Sequence, residues 1–222
     1  MPMSLAADGA PSVSDTPMIR RREPVQPGAW PDDTLPLLAR LYASRGATTP
    51  ELALPRLGNL HAPELLTGID AAVALLIDAI ANDKRILVVG DFDCDGATAC
   101  AVGVRGLRML GAQHVFHAVP NRMVHGYGLS PSLVEELAAL QPDLLVTVDH
   151  GIACHAGVNA AKARGWQVLV TDPHLPGPPL PPAAGTVAPN LEGAGFPRKS
   201  LARLAVLFYA LLSSPTWRGA RA

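Results

Sequence analysis

The sequence predicts an α/β fold: a mostly parallel sheet with helices on both faces, behind a helical N-terminal lead-in. From Lys84 onward, short runs rich in Val, Leu and Ile alternate with helix-length segments, the pattern of strands buried on both sides. Gly111, Gly128 and Gly165 fall between these segments as punctuation. Three of the apolar runs stop abruptly at acids. Ile86-Leu-Val-Val-Gly leads into Asp91-Phe-Asp-Cys-Asp-Gly96, Leu144-Leu-Val-Thr-Val into Asp149-His150-Gly151, and Val168-Leu-Val-Thr into Asp172-Pro173-His174. In an open parallel sheet such stops share the carboxyl edge, where ligand sites lie.

Composition excludes several classes. The 222 residues, 49% apolar, suffice for one large domain or a domain with an appendage. No run approaches the roughly 18 apolar residues of a membrane span, and the N-terminus lacks a basic segment followed by an apolar signal core. The reading is a soluble, cytoplasmic protein without a membrane partner. Cys94, Cys100 and Cys154 are odd in number and lack paired C-x-x-C spacing, so they are expected to be free thiols. A formal net charge of −1 gives no global field for nucleic acid, and any such binding needs a local basic patch.

Residues 1–16 are small, polar and proline-bearing and read as a disordered tail. Arg20-Arg21-Arg22 reads as a solvated cluster. Residues 17–83 form the lead-in, where Asp33 or Thr34 caps a helix through Leu35, Leu37, Leu38, Leu41 and Tyr42 that stops near Gly46. Thr49 to Thr67 is a connector with short helical pieces. A second helix over 68–82 places Ile69, Val73, Leu76, Ile77 and Ile80 on one side.

The α/β domain spans residues 84–212. Expected are strand 86–90, helix 97–110, strand 115–119, helix 130–140, strand 144–148, helix 153–164 and strand 167–171. The prolines from Pro176 to Pro182 form a rigid surface turn, and residues 186–188 return to the sheet. The last helix, 200–212, is apolar on nearly every side and so expects burial. With only a tail, 213–222, after it, the domain reads as incomplete, cut from a larger architecture.

The acids define the chemistry. If Asp91, Asp93 and Asp95 lie about 5 Å apart, each pair repels by roughly 3 kcal/mol at an effective dielectric near 20. A bound cation removes that cost, and carboxylate with imidazole favours manganese or magnesium. The Asp91–Gly96 run opens like an EF-hand loop, yet Val102 stands at the twelfth position where a bidentate Glu is needed. It also resembles the start of haloacid-dehalogenase-type phosphatases, which usually carry Thr or Val where Asp95 stands. No phosphate loop ending in Lys-Ser/Thr and no dinucleotide fingerprint occurs.

Taken together, GDFDCDGAT, VPNRMVHGYGLSP, DLLVTVDHGI, VLVTDPHLPG and APN, in this order, resemble the RecJ family of bacterial single-strand-specific DNA exonucleases, within the DHH phosphoesterase superfamily. The resemblance runs from about Arg20 to Leu212. It implies a manganese- or magnesium-dependent enzyme that removes nucleotides from the 5′ end of single-stranded DNA in recombination and repair, with single-strand-binding protein as a partner by analogy. It implies Asp93, Asp95 and Asp149 as metal ligands, with Asp91 and Asp172 completing or supporting the acidic centre. His174 matches the second histidine of the name-giving motif, a phosphate-contacting group.

The departures predict impaired catalysis. Pro173 stands where the family has the first, metal-holding histidine, and its side chain has no donor atom. His150 replaces the usual asparagine and is a further candidate ligand. Arg203 stands where the family tends to have glycine, and the fourth-motif aspartate and the substrate-binding domain have no counterpart before Ala222. Arg122, with Asn121 and the His125-Gly-Tyr-Gly128 loop, follows a strand, where a guanidinium suits a DNA phosphate. His61, His114, His117 and His155 read as surface or satisfied residues, and the scattered Trp30, Trp166 and Trp217 offer no stacking platform. Three readings remain: the metal-bearing portion of an exonuclease, an inactive remnant or binding module with the same fold, and a small-nucleotide phosphoesterase of the DHH or haloacid-dehalogenase type. Oligomeric state is not legible.

Overall fold

Parallel pairing of five short runs, of which the strands other than the edge run at 115–118 are almost wholly buried, builds the core sheet of residues 61–222. The computed structural model describes residues 28–54, 56–199 and 201–214, together with Glu23, Val25 and Gln26. The expected disordered tail, the Arg20-Arg21-Arg22 cluster and the tail beyond Ser214 lie outside these residues. The chain divides into two compact units, residues 1–60 and 61–222.

In the first unit, α1 (Pro36–Ala43) and α2 (Pro50–Ala53) each begin on a proline, whose fixed φ suits the first helical position. Neither Asp33 nor Thr34 caps α1. Leu35 holds the cap position without a side-chain bond, because Pro36 starts the helix one residue later than the hydrophobic pattern does. Trp30 stacks on Tyr42 with ring centroids 5.3 Å apart.

The second unit carries α3 (Ile69–Ala81), β1 (Ile86–Val89), α4 (Cys94–Met109), β2 (Val115–Ala118), a short α5 (Arg122–His125), α6 (Pro131–Leu137), β3 (Leu144–Val148), α7 (His155–Ala163), β4 (Gln167–Thr171), β5 (Gly185–Val187) and α8 (Arg203–Leu212). The five strands pair in parallel in the order β2-β1-β3-β4-β5. This is a doubly wound order with its switch point between β1 and β3.

Alternation along the strands splits the core in two. Ile86, Val88, Leu144, Val146, Val148 and Leu169 face α3, α4 and α8, whereas Leu87, Val89, Leu145, Val168 and Val170 face α6 and α7. The expected α/β class with helices on both faces is what the chain adopts. Inside α3 the buried line is Ile69, Ala72, Leu76 and Ala79, while Ile77 is exposed. Small alanines, not the branched residues alone, set that face. The last helix is largely buried, as its composition predicts, through Val206, Leu207, Tyr209, Ala210 and Leu211. The three cysteines are free, with Cys94 exposed and Cys100 buried.

Two close approaches position the carboxyl edge. Helix α4 starts at Cys94, three residues before the expected 97, because the Asp93 side chain accepts from Gly96 N at 2.9 Å and caps the helix. A Cβ on Gly96 would lie 2.2 Å from the Asp91 carbonyl oxygen, so only glycine lets the helix start against that strand end. Farther along, Cβ atoms on Gly103 and Gly106 would lie 2.7 Å from Leu207 Cδ2 and 2.5 Å from Leu211 Cδ1. These glycines draw α8 tightly onto α4. The start of α8 is thereby brought over the start of α4.

Candidate metal centre

The carboxylates that converge are Asp91, Asp93 and Asp149, with one oxygen from each lying within 4.8 Å of the others. Asp91 follows β1, Asp149 follows β3, and Asp93 caps α4, so the three meet at the switch point of the sheet. At that separation each pair of charges repels by roughly 3 kcal/mol at an effective dielectric near 20. Asp149 also adopts φ 68°, a left-handed conformation uncommon for a residue with a side chain. Asp91 and Asp149 are buried, at 2% and 0% exposure.

Burial pushes the Asp91 carboxyl above its ordinary range. The same cause carries Asp149 up to about 6, outweighing the opposing pull of Arg203. Asp91 Oδ1 is buried without a hydrogen-bond partner. Arg203, the first residue of α8, reaches the other acids: Nη1 lies 3.3 Å from Asp93 Oδ2 and 3.2 Å from Asp149 Oδ2. Its Nε lies 3.1 Å from Asp149 Oδ1 and 3.7 Å from Asp95 Oδ2. The Nε–Oδ1 approach is an ion-pair distance without hydrogen-bond alignment, so the directed bond to Asp149 is the one to Oδ2.

Asp95 sits in the first turn of α4 and meets the cluster through Arg203 rather than through the converging oxygens. Asp172 is buried and engaged elsewhere. Its Oδ2 accepts from Ile152 N at 2.9 Å, and its Oδ1 accepts from His174 N at 2.9 Å and lies 2.7 Å from His174 Nδ1. That arrangement fixes the half-exposed imidazole of His174 beside the edge. His150 is fully buried and pushed down to about 4 by burial, which keeps it neutral. Neither of its nitrogens makes an aligned hydrogen bond, although the Val89 and Gly90 carbonyls lie near the ring. It does not join the converging carboxylates.

The 119–128 connection crosses the same edge. The Arg122 guanidinium carbon lies 4.9 Å over the Phe92 ring, and Phe92 packs edge-on against Tyr127 at 6.1 Å. Tyr127 Oη donates to the Asp149 carbonyl at 3.2 Å. His125 is structural: Nδ1 accepts from Asn121 N at 3.1 Å and Nε2 lies 3.0 Å from Glu136. His114 pairs with Asp83 at 3.4 Å and His61 packs on Phe196 at 5.5 Å, both away from the acids. Tyr127 and Arg203 are the site residues whose contacts sequence reasoning missed. Each left a signal, Arg203 as a cation opening an otherwise apolar helix and Tyr127 as the ring between two glycines in the loop after β2.

Residues 85–218 match the profile of the DHH family, N-terminal domain. The chain belongs to the DHH family. Among curated DHH relatives it is 47% identical over 199 residues to the single-stranded-DNA-specific exonuclease RecJ of Salmonella typhimurium and 44% identical over 199 residues to that of Escherichia coli. In both cases 90% of this chain aligns with 34% of the relative, so it spans about a third of their length. Among solved structures it is similar to an exonuclease RecJ bound to manganese, at 37% identity and TM-score 0.61, with 71% of this chain and 39% of the other covered. It is also similar to RecJ in complex with Mn2+ from Thermus thermophilus, at 34% identity and TM-score 0.60, with 82% and 25% covered. Among the described residues, no helix is long and apolar enough to cross a membrane.

The donor set fits a divalent ion. All three converging groups are carboxylates, which suit hard cations, and one buried oxygen, Asp91 Oδ1, lacks a partner. The cluster by itself is a set of oxygen donors of the kind a divalent cation takes.

Proposed function

We propose that this chain is the metal-bearing portion of a single-strand-specific DNA exonuclease acting 5′ to 3′ in recombination and repair, a cytoplasmic hydrolase of phosphodiester bonds. The observation that carries the reading is the meeting of Asp91, Asp93 and Asp149 at the switch point of a DHH-family sheet. These residues would hold manganese or magnesium, with Asp95 and Asp172 in support. A bound ion would activate water and neutralise charge gathering on the phosphate. Asp172 holds His174 through Nδ1, which orients the imidazole for a phosphate oxygen. Arg122, exposed and near enough to Asp91 to pull its carboxyl down, presents a guanidinium to a single-stranded DNA phosphate at the same edge. Single-strand-binding protein is the macromolecular partner consistent with this role.

A second reading is a DHH fold held without turnover. Pro173 favours it, since that residue offers only its carbonyl, which accepts from Asn190 Nδ2. The deciding experiment is manganese-dependent release of nucleotides from a 5′-phosphorylated single-stranded oligonucleotide, run with the unmodified chain and with Pro173→His. The exonuclease reading expects release by Pro173→His above that of the unmodified chain. Silence from both, in protein shown to be folded by circular dichroism, overturns it in favour of the second reading.

A further inference from the structure

The guanidinium of Arg203 stands among the carboxylates that would receive the metal. It lies within 3.1–3.7 Å of oxygens from Asp93, Asp95 and Asp149. We propose that Arg203 is a built-in counter-cation of the acidic centre, one that competes with a divalent ion for Asp93 and Asp149 and must withdraw before the ion is held. The inference rests on the metal-centre reading above.

Local helix physics does not explain this arginine. Arg203 is the first residue of the ten-residue α8, and a helix N-terminus carries partial positive charge that disfavours a cation by about 0.3–1 kcal/mol. The attraction must come from across the fold. Asp149, with a side chain 0% exposed, supplies it, because a charge withdrawn from water couples far more strongly to a neighbour than a surface charge does. The approach is enforced by packing: Gly103 and Gly106 draw α8 onto α4, and the start of α8 follows.

The arginine nevertheless fills the role only in part. It carries one charge against three converging carboxylates, and among them it contacts Asp93 and Asp149 but leaves Asp91 Oδ1 without a donor. A divalent ion carries twice the charge and would engage all three. Because the Arg203 side chain is 35% exposed, a rotation about its own stem moves the guanidinium into solvent without disturbing the buried part of α8. Competition, rather than permanent replacement, follows from that geometry.

The test is calorimetric titration of manganese chloride into the full chain, Arg203→Ala, Arg203→Lys and Asp149→Asn, with melting temperatures measured without the ion and at saturation. Arg203→Ala is expected to bind manganese at least about tenfold more tightly than the unmodified chain, since a like charge within about 4 Å is removed. Without the ion it is expected to melt lower, and to gain more on manganese addition. Arg203→Lys is expected to stay closer to the unmodified chain. Equal affinity in Arg203→Ala and the unmodified chain, with manganese still lost in Asp149→Asn, overturns the role of Arg203 and leaves the metal centre standing. No uptake by either chain, both folded, overturns the proposal and the metal-centre reading together. Should Arg203→Ala fail to fold, Arg203→Gln makes the same comparison with the side-chain length kept and the charge removed.

Discussion

The two ends of the same parallel strands treat polar groups in opposite ways. At the amino end, Arg85 N donates to Asp143 Oδ2 at 2.8 Å, and Arg85 Nε donates to the Leu140 carbonyl at 2.9 Å while its guanidinium covers Phe116. Lys84 bridges Asp78 and Gln167 there. These charges are exposed or half-buried, and each has a partner. At the carboxyl end, Asp91, Thr147, Asp149 and His150 are buried, and each carries a side-chain atom without an aligned hydrogen bond. Native interiors leave few such groups unsatisfied. Their gathering at one edge marks where the fold gives up stability for a site, whereas the amino-end side chains named above are all partnered.

The largest expected effect breaks the ordinary half of this contrast. Leu144 opens β3 and is fully buried in the core cluster that also holds residues of α3, α4 and α8, so Leu144→Ala should cost about 2–5 kcal/mol in a urea unfolding series. At the other end of the same strand the sign reverses. Asp149 has a folded pKa of about 6 against an ordinary 3.8, so the folded state holds this proton more tightly than the unfolded chain does. Stability from this group is therefore full below about pH 4 and is lost as pH rises through about 6. Asp149→Asn lacks that loss and should stabilise the metal-free protein by about 1–3 kcal/mol at pH 7.5, with the advantage shrinking toward pH 4. Urea unfolding of both chains at the two pH values reads it directly. A destabilised variant at pH 7.5 would mean that the Arg203 pair outweighs the burial of Asp149.

Much of this contrast is legible in the residues. Val- and Leu-rich runs ending in Asp91, Asp149 and Asp172 place acids at one edge because parallel strands share a direction, and strands 144–148 and 167–171 fall where the pattern puts them. What the pattern does not carry is side-chain direction at a helix start. The D-x-D-x-D spacing treats Asp91, Asp93 and Asp95 alike, but the Asp93 cap begins α4 at Cys94 and turns Asp95 out of the converging set. The reach of Arg203 to carboxylates more than fifty residues away depends on the α4–α8 approach through Gly103 and Gly106. No local period encodes such a contact. The short α5 was missed for a related reason: its four residues are held by Asn121 and His125 bonds rather than by hydrophobic spacing.

Asp143→Ala removes the bond to Arg85 N at the amino end, where water can replace it, and should cost about 1 kcal/mol without altering manganese affinity. A larger loss, or a weakened metal response, would mean that the two ends are coupled through β3.

Cys94→Ala should do least of all, although it lies between two of the acids. The thiol is exposed at the first position of α4, and Thr98 Oγ1 donates to the Cys94 carbonyl, which alanine keeps. Alanine is also the better helix former. The expected change is within about 0.5 kcal/mol in unfolding, with the calorimetric manganese affinity unaltered. Loss of the ion on this substitution would place a thiolate among the ligands, and a centre with a soft donor would favour zinc over manganese or magnesium. An unchanged affinity confines metal binding to oxygen donors and so separates residues that merely lie along the acidic edge from those that converge on it.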